Sequence, residues 1–222
     1  MNSILKIGHR GAKGYAPENT LLSFEKAIDL NVDGIELDVH LSADKALVVI
    51  HDETIDRTTD GKGFVINFTS SQLKEFKIPT LIEVLELVNQ KCFINIELKG
   101  IGSAKFVNEL VTHYILDKKW SYTGFLISSF DWKMLNEIRL LNPKIRIGVL
   151  TEHNIEEALA FAKNIKAFSI HPHYELLSKE NVFLMQENGF KVYPWTVNSK
   201  EDIQKIKSFN VNGIISDFPD RI

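Results

Sequence analysis

A (β/α)8 TIM barrel with a small insertion in its second βα unit is the α/β fold class that this sequence predicts, and three observations point to it. Eight short, apolar, β-rich runs recur along the 222 residues. Most of them lead into an amphipathic stretch with helical spacing. No Gly-x-Gly-x-x-Gly fingerprint follows the first run, which weighs against an open doubly wound sheet, the other common product of such alternation.

The runs occupy residues 4–7, 35–41, 93–98, 125–127, 145–150, 167–170, 191–195 and 213–215. Leu21, Leu22, Phe24, Ala27 and Ile28 lie at helical spacing after the first. The same holds for Phe106, Val107, Leu110 and Val111 after the third, and for Met134, Leu135, Ile138 and Leu141 after the fourth. Strands that alternate with helices pair in parallel, and eight such units in so short a chain predict a compact closed barrel. The second unit breaks the rhythm: residues 47–50 read as a further strand, and 52–79, with Asp60-Gly61-Lys62-Gly63, are turn-rich before a helix over 81–88. This segment is expected to be an insertion within one domain spanning 1–222. Barrel enzymes build their sites from loops at the carboxyl ends of the strands, so the insertion is expected to roof the pocket.

Composition narrows the function. With 26 Lys and Arg against 29 Asp and Glu, the formal charge is 26 − 29 = −3, and no run of like charge would track a phosphate backbone, so nucleic acid is excluded as a partner. Cys92 stands alone, which excludes an internal disulfide and a Cys-based zinc cluster and reads as a small core hydrophobe. The longest wholly apolar run, 46–50, is far too short for a transmembrane segment, and the residues before Lys6 leave no room for a secretory signal, so a cytoplasmic location is expected. No motif selects a helix face for pairing, and the oligomeric state stays open.

Strand parity locates the chemistry. In residues 35–41 the apolar Ile35, Leu37, Val39 and Leu41 face the helices, so Glu36, Asp38 and His40 face the barrel interior. The same parity turns Ile94, Ile96 and Leu98 outward and Asn95, Glu97 and Lys99 inward. Burying an unpaired carboxylate costs several kcal/mol and three add mutual repulsion, so the cluster calls for protonation, cationic partners or a bound cation. A divalent ion is the simplest answer, and all-oxygen ligands favour Mg²⁺ or Ca²⁺ over zinc. The competing reading is a set of internal salt bridges to Lys99 and Arg10.

His9 and His51 both fall at strand ends, where an imidazole gives or takes a proton near neutrality. Arg10 and Lys99 bring fixed positive charge beside the carboxylates, as an anionic substrate needs. Trp195, at the end of the seventh run, offers a flat apolar wall. Asn19 is expected to cap the helix beginning near Thr20, and Glu18 to favour its positive end. His171-Pro172-His173 lacks a third ligand at sensible spacing, and His113 and His153 read as surface residues. Together, two histidines, three carboxylates and two cations point to metal-assisted transfer at phosphorus.

The segments His9-Arg10-Gly11, Ala16-Pro17-Glu18-Asn19-Thr20, Glu36-Leu37-Asp38-Val39-His40, His51-Asp52, Glu97-Leu98-Lys99, Trp195-Thr196-Val197-Asn198 and Ser216-Asp217 follow one another in order. In these segments the chain resembles the glycerophosphodiester phosphodiesterase family over nearly its whole length. The resemblance implies a TIM barrel that hydrolyses a small-molecule glycerophosphodiester to glycerol 3-phosphate and an alcohol with one divalent cation, Mg²⁺ or Ca²⁺. It places His9 and His51 on the acid/base pair, Glu36, Asp38 and Glu97 on the metal ligands, and Arg10 and Lys99 on phosphate-holding positions. It also implies attack by the substrate's own glycerol hydroxyl, giving a cyclic phosphate that water opens. Rival activities are a lysophospholipase D or a phospholipase D-like lyase on the same residues. A non-catalytic binding module is a further rival, against which stands the presence of all five histidine and carboxylate positions.

Overall fold

The computed structural model describes residues 3–222, so the first two positions of the expected 1–222 domain lie outside it. In chain order the elements are β1 (Leu5–Gly8), α1 (Leu21–Asp29), β2 (Gly34–Leu41), β3 (Leu47–Val49), α2 (Ser70–Glu75), α3 (Leu81–Val88), β4 (Phe93–Leu98) and α4 (Ser103–Leu116). There follow β5 (Phe125–Ser129), α5 (Trp132–Leu141), β6 (Arg146–Thr151), α6 (Ile155–Asn164), β7 (Ser169–Pro172), α7 (Lys179–Glu187), β8 (Lys191–Val192), α8 (Lys200–Lys207) and β9 (Gly213–Ser216). The strands are hydrogen-bonded in the order β8-β7-β6-β5-β4-β2-β1-β9, all parallel, and β3 adds antiparallel to β2. Isolated bonds close the remaining seam: Asn212 N–H donates to Val192 O at 3.1 Å and Ile215 N–H to Pro194 O at 2.9 Å. The result is the nearly closed (β/α)8 barrel that alternation predicts.

Parity holds where it was used. Ile35, Leu37, Val39, Ile94, Ile96 and Leu98 are buried in the main core between sheet and helices. Each such side chain contributes roughly 1.5–3 kcal/mol by leaving water. Ile7, Leu126, Tyr193 and Ile215 form a separate apolar cluster, and Glu36, Asp38, Asn95 and Glu97 are buried polar groups on the same strands as the core residues.

Two expectations need correction. The seventh run is a regular strand only over Lys191–Val192: Tyr193 and Trp195 N–H still donate to Ile170 O and Pro172 O, but Pro172 of β7 has no N–H to return a bond, and Trp195 bridges His173 in isolation. The cap of α1 is Thr20, whose side chain accepts from Ser23 N–H, while Asn19 adopts a left-handed φ of 56° and points elsewhere. Within the turn-rich insertion, Thr69 and Gln72 form a capping box that starts the short α2. The insertion has a small core of its own, in which Ile55, Val65, Leu73 and Ile78 pack against Val48 and Ile50 with Phe68 and Phe76 alongside. Cys92 sits half-buried at the edge of the main core, and burial pushes its thiol up to about 12. Among the described residues no helix is long and apolar enough to cross a membrane.

Candidate active site

The strand ends bring all eight singled-out residues to one mouth of the barrel. His9, Arg10, Glu36, His51, Glu97, Lys99 and Trp195 line a single cleft, with Asn95, Phe130, Leu150 and Ile215 completing its wall. Asp38 is 1% exposed and lies beneath Arg10 and Lys99.

At the floor, Glu36, Asp38 and Glu97 each present an oxygen such that the three lie within 4.8 Å of one another. The register that sets Asp38 beside Glu97 and Glu36 beside Asn95 produces this directly. Burial and the neighbouring carboxylates raise Glu36 well above the ordinary range, and burial with Asp38 beside it pushes Glu97 up to about 7. Glu36 Oε1 and Asp38 Oδ1 are buried with no hydrogen-bond partner, an arrangement whose cost falls when a cation is shared among them. These are hard oxygen donors, and they fit one divalent ion.

Cations flank the floor. Arg10 Nε lies 3.3 Å from Asp38 Oδ2, its Nη1 donates to Glu18 Oε1 at 2.8 Å, and its backbone N–H donates to Glu36 Oε2 at 2.8 Å. Lys99 Nζ is 2.8 Å from Glu97 Oε1 and 3.8 Å from Asp38 Oδ1. Burial works against the Lys99 charge, but Glu97 and Asp38 outweigh it and hold its pKa above the ordinary lysine value. Part of the salt-bridge reading is therefore present, yet it leaves unpartnered carboxylate oxygens.

Both histidines turn Nδ1 to a carboxylate: His9 to Asp217 Oδ1 at 2.6 Å and His51 to Asp52 Oδ1 at 2.7 Å. In the neutral ring that contact places the proton on Nδ1 and leaves the Nε2 lone pair free, and in the imidazolium Nε2 becomes a donor. Burial lowers the pKa of both imidazoles, and the carboxylates oppose it by favouring the charged form. His40 supports this arrangement from behind, its Nε2 lying 3.1 Å from His51 O.

Several functional contacts escape sequence reasoning. Asp217 follows Ile215 by two positions and so shares its inward parity, a signal that would have placed it. Asn198 fixes it, donating from Nδ2 to Asp217 Oδ2 at 2.9 Å and accepting from Asp217 N–H at 2.9 Å. Asn19, freed from the cap, donates from Nδ2 to the buried Asp38 Oδ2 at 2.9 Å. Glu18 is held by Arg10, Arg57 and Lys13; burial raises its pKa, but Arg57 and Arg10 outweigh it and keep the carboxyl at about 2. Residues 52–79 contribute nothing to the lining of the cleft, so the insertion buttresses His51 from the side and does not roof the pocket. Trp195 donates from Nε1 to His171 O at 2.9 Å and packs edge-on with Phe130 at 5.4 Å between ring centroids, giving an apolar wall that runs up to Lys99, whose Nζ lies 5.6 Å from the centre of the Phe130 ring. Among the described residues, the acidic trio is the one group of three side chains with metal-ligating geometry, and His171 and His173 do not form a second.

Residues 9–221 match the model of the glycerophosphoryl diester phosphodiesterase family. The chain belongs to that family. Its enzyme class, a phosphoric diester hydrolase, goes with that membership. The chain is 40% identical to a glycerophosphodiester phosphodiesterase of Caldanaerobacter subterraneus, across 98% of this chain and 96% of the relative. Among solved structures it is similar to the glycerophosphodiester phosphodiesterase of Thermotoga maritima, at 31% identity and a TM-score of 0.85 over 99% of this chain and 97% of that one. It is also similar to an Oleispira antarctica phosphodiesterase solved in complex with the product sn-glycerol-3-phosphate, at 28% identity and a TM-score of 0.87, over 97% and 94% of the two chains.

Proposed function

We propose that this chain hydrolyses glycerophosphodiesters to glycerol 3-phosphate and an alcohol by histidine acid/base catalysis at a site that takes one divalent cation. The observation that supports this most is the convergence of two carboxylate-held histidines and two cations on a buried trio of carboxylates with unpartnered oxygens. Glu36, Asp38 and Glu97 would hold Mg²⁺ or Ca²⁺, whose charge would stabilise the phosphoryl oxygens and help orient the glycerol.

Arg10, with a planar fork, and Lys99, as a point charge, bind the phosphodiester oxygens. One histidine takes the proton of the attacking hydroxyl at its free Nε2 as the new O–P bond forms. The other, entering the step as an imidazolium whose Nδ1–H is held by its carboxylate, gives its Nε2 proton to the leaving alcohol oxygen as the old O–P bond breaks. If the glycerol hydroxyl is the nucleophile, the two exchange roles when water opens the cyclic phosphate. Trp195 and Phe130 shield the apolar side of the substrate from water.

The test is release of glycerol 3-phosphate from glycerophosphocholine and glycerophosphoethanolamine, first with chelator and then with Mg²⁺, Ca²⁺ or Mn²⁺ restored. Metal-dependent release is expected. The chelated protein is also expected to gain about 2.7 kcal/mol of stability when the favoured ion reaches about 100 times its Kd. No release with any ion, alongside cleavage of a lysophospholipid or formation of a stable cyclic phosphate, would replace this reading by the lysophospholipase D or lyase alternative.

A further inference from the structure

Arg57 lies in the insertion, does not line the cleft, and is half-exposed, yet its guanidinium makes four hydrogen bonds to two carboxylates. Nε donates to Asp52 Oδ2 at 2.6 Å, and Nη2 to Asp52 Oδ1 at 3.1 Å. On the other side, Nη2 donates to Glu18 Oε1 at 2.7 Å and Nη1 to Glu18 Oε2 at 3.1 Å. Each carboxylate in turn holds a residue of the cleft, Asp52 through His51 Nδ1 at 2.7 Å and Glu18 through Arg10 Nη1 at 2.8 Å. We propose that Arg57 is a positioning residue for phosphodiester cleavage, which ties the orientation of His51 and Arg10 to the folded insertion; this rests on the roles given to those two residues above.

Geometry favours this over a direct contact with substrate. A guanidinium has five N–H donors, and four are engaged, so little remains to grip a phosphate. His51 and Asp52 are neighbours in sequence, and neighbours on an extended strand point to opposite faces, so their side chains meet only because the chain bends after β3. Among the described residues Asp52 has hydrogen-bond partners in His51 and Arg57 alone, so without Arg57 nothing else fixes the carboxylate that orients His51. Arg57 itself is placed by Ile55, which is fully buried in the insertion's own core and whose backbone N–H donates to Gly63 O at 3.0 Å. An ion pair this exposed contributes little to global stability, which separates a positioning role from a structural one.

The experiment uses the full chain and measures kcat, KM and thermal midpoint for wild type, Arg57→Ala, Asp52→Asn and the double variant. Lys74→Ala serves as a control, because it breaks the exposed pair between Lys74 of the same insertion and Glu83 of α3 and touches nothing in the cleft. We expect Arg57→Ala to lower kcat by about 10- to 100-fold, with a smaller change in KM and a thermal midpoint near that of Lys74→Ala. Because Arg57 acts through Asp52, the double variant should be within about twofold of the slower single variant. Should Arg57→Ala fail to fold, Arg57→Lys carries the test: it keeps the charge but loses the fork, and should still be about tenfold slower than wild type. A folded Arg57→Ala, or in its place Arg57→Lys, within about twofold of wild-type kcat would overturn the proposal, as would losses that multiply in the double variant. A wild-type chain that releases no glycerol 3-phosphate would overturn the reading of the reaction, and this proposal with it.

Discussion

His9 and His51 each turn Nδ1 to a carboxylate, at 2.6 and 2.7 Å, yet different parts of the molecule hold the two carboxylates. His9 and Asp217 are 208 positions apart and meet because β1 pairs with β9, with His9 N–H donating to Ser216 O at 2.9 Å. Asn198 then locks Asp217 from the loop before α8. His51 and Asp52 are adjacent, and the insertion's Arg57 fixes their geometry. Side-chain exposure follows suit: 13% and 17% for His9 and Asp217, against 29% for both His51 and Asp52. One pair is thus a product of barrel closure, and the other of a surface ion network that water reaches. The same chemical device has been assembled twice, once from long-range topology and once from local sequence.

The most severe test of this symmetry removes the imidazoles themselves. His9→Ala and His51→Ala should each lower kcat by at least ~10² while the circular dichroism spectrum and thermal midpoint stay close to wild type. Near-wild-type turnover from either variant would break the symmetry and remove that histidine from the acid/base pair.

A smaller effect separates the two anchors. Replacing Asp217 by Asn should lower kcat about 100-fold, because a buried imidazole with a single orienting carboxylate has no substitute for it. At Asp52 the same change should cost about tenfold, since water can reach the exposed Nδ1 and supply part of the lost bond. Equal losses in steady-state kcat would show that exposure does not distinguish the anchors. A larger loss at Asp52 would reverse their ranking.

This contrast also marks what was legible in the sequence. Glu36, Asp38 and Glu97 were placed by strand parity because alternation is a local property, and the register of β2 against β4 carries it unchanged into three dimensions. His9 and His51 were legible as polar residues at the ends of apolar runs. The contact between His9 and Asp217 was not, because pairing across 208 positions depends on closure of the whole barrel. Arg57 was invisible for another reason: an arginine in a turn-rich segment reads as solvated surface until its partners are seen. The Asn19 error arose because Asn and Thr are both good caps and stand side by side, and the buried Asp38 decided between them by claiming the Asn19 amide. The shortened β8 was legible in principle from Pro172 of the neighbouring strand, which cannot donate to their shared ladder.

His171 completes the comparison as a histidine of the same barrel with no carboxylate. It is fully buried, its Nε2 is 2.8 Å from Ser169 Oγ, and its Nδ1 has no partner. At His9 and His51 a carboxylate opposes the effect of burial; at His171 nothing does, and burial pushes its pKa down to about 3. The unfolded chain binds this proton near pH 6.5 and the folded chain only near 3, so between those values the unfolded state holds more protons and stability falls as pH falls. The stabilising contribution of neutral His171 is therefore complete above about pH 6.5 and is lost on acidification at roughly 1.4 kcal/mol per pH unit, or about 2 kcal/mol by pH 5. Urea midpoints between pH 7.5 and 5 should accordingly drop more steeply for wild type than for His171→Gln, whatever stability the substitution itself costs. Parallel slopes for the two proteins would mean that His171 takes up its proton in the folded state, through a buried water or a rearranged Ser169, and that burial without a carboxylate does not set it apart from the cleft pair.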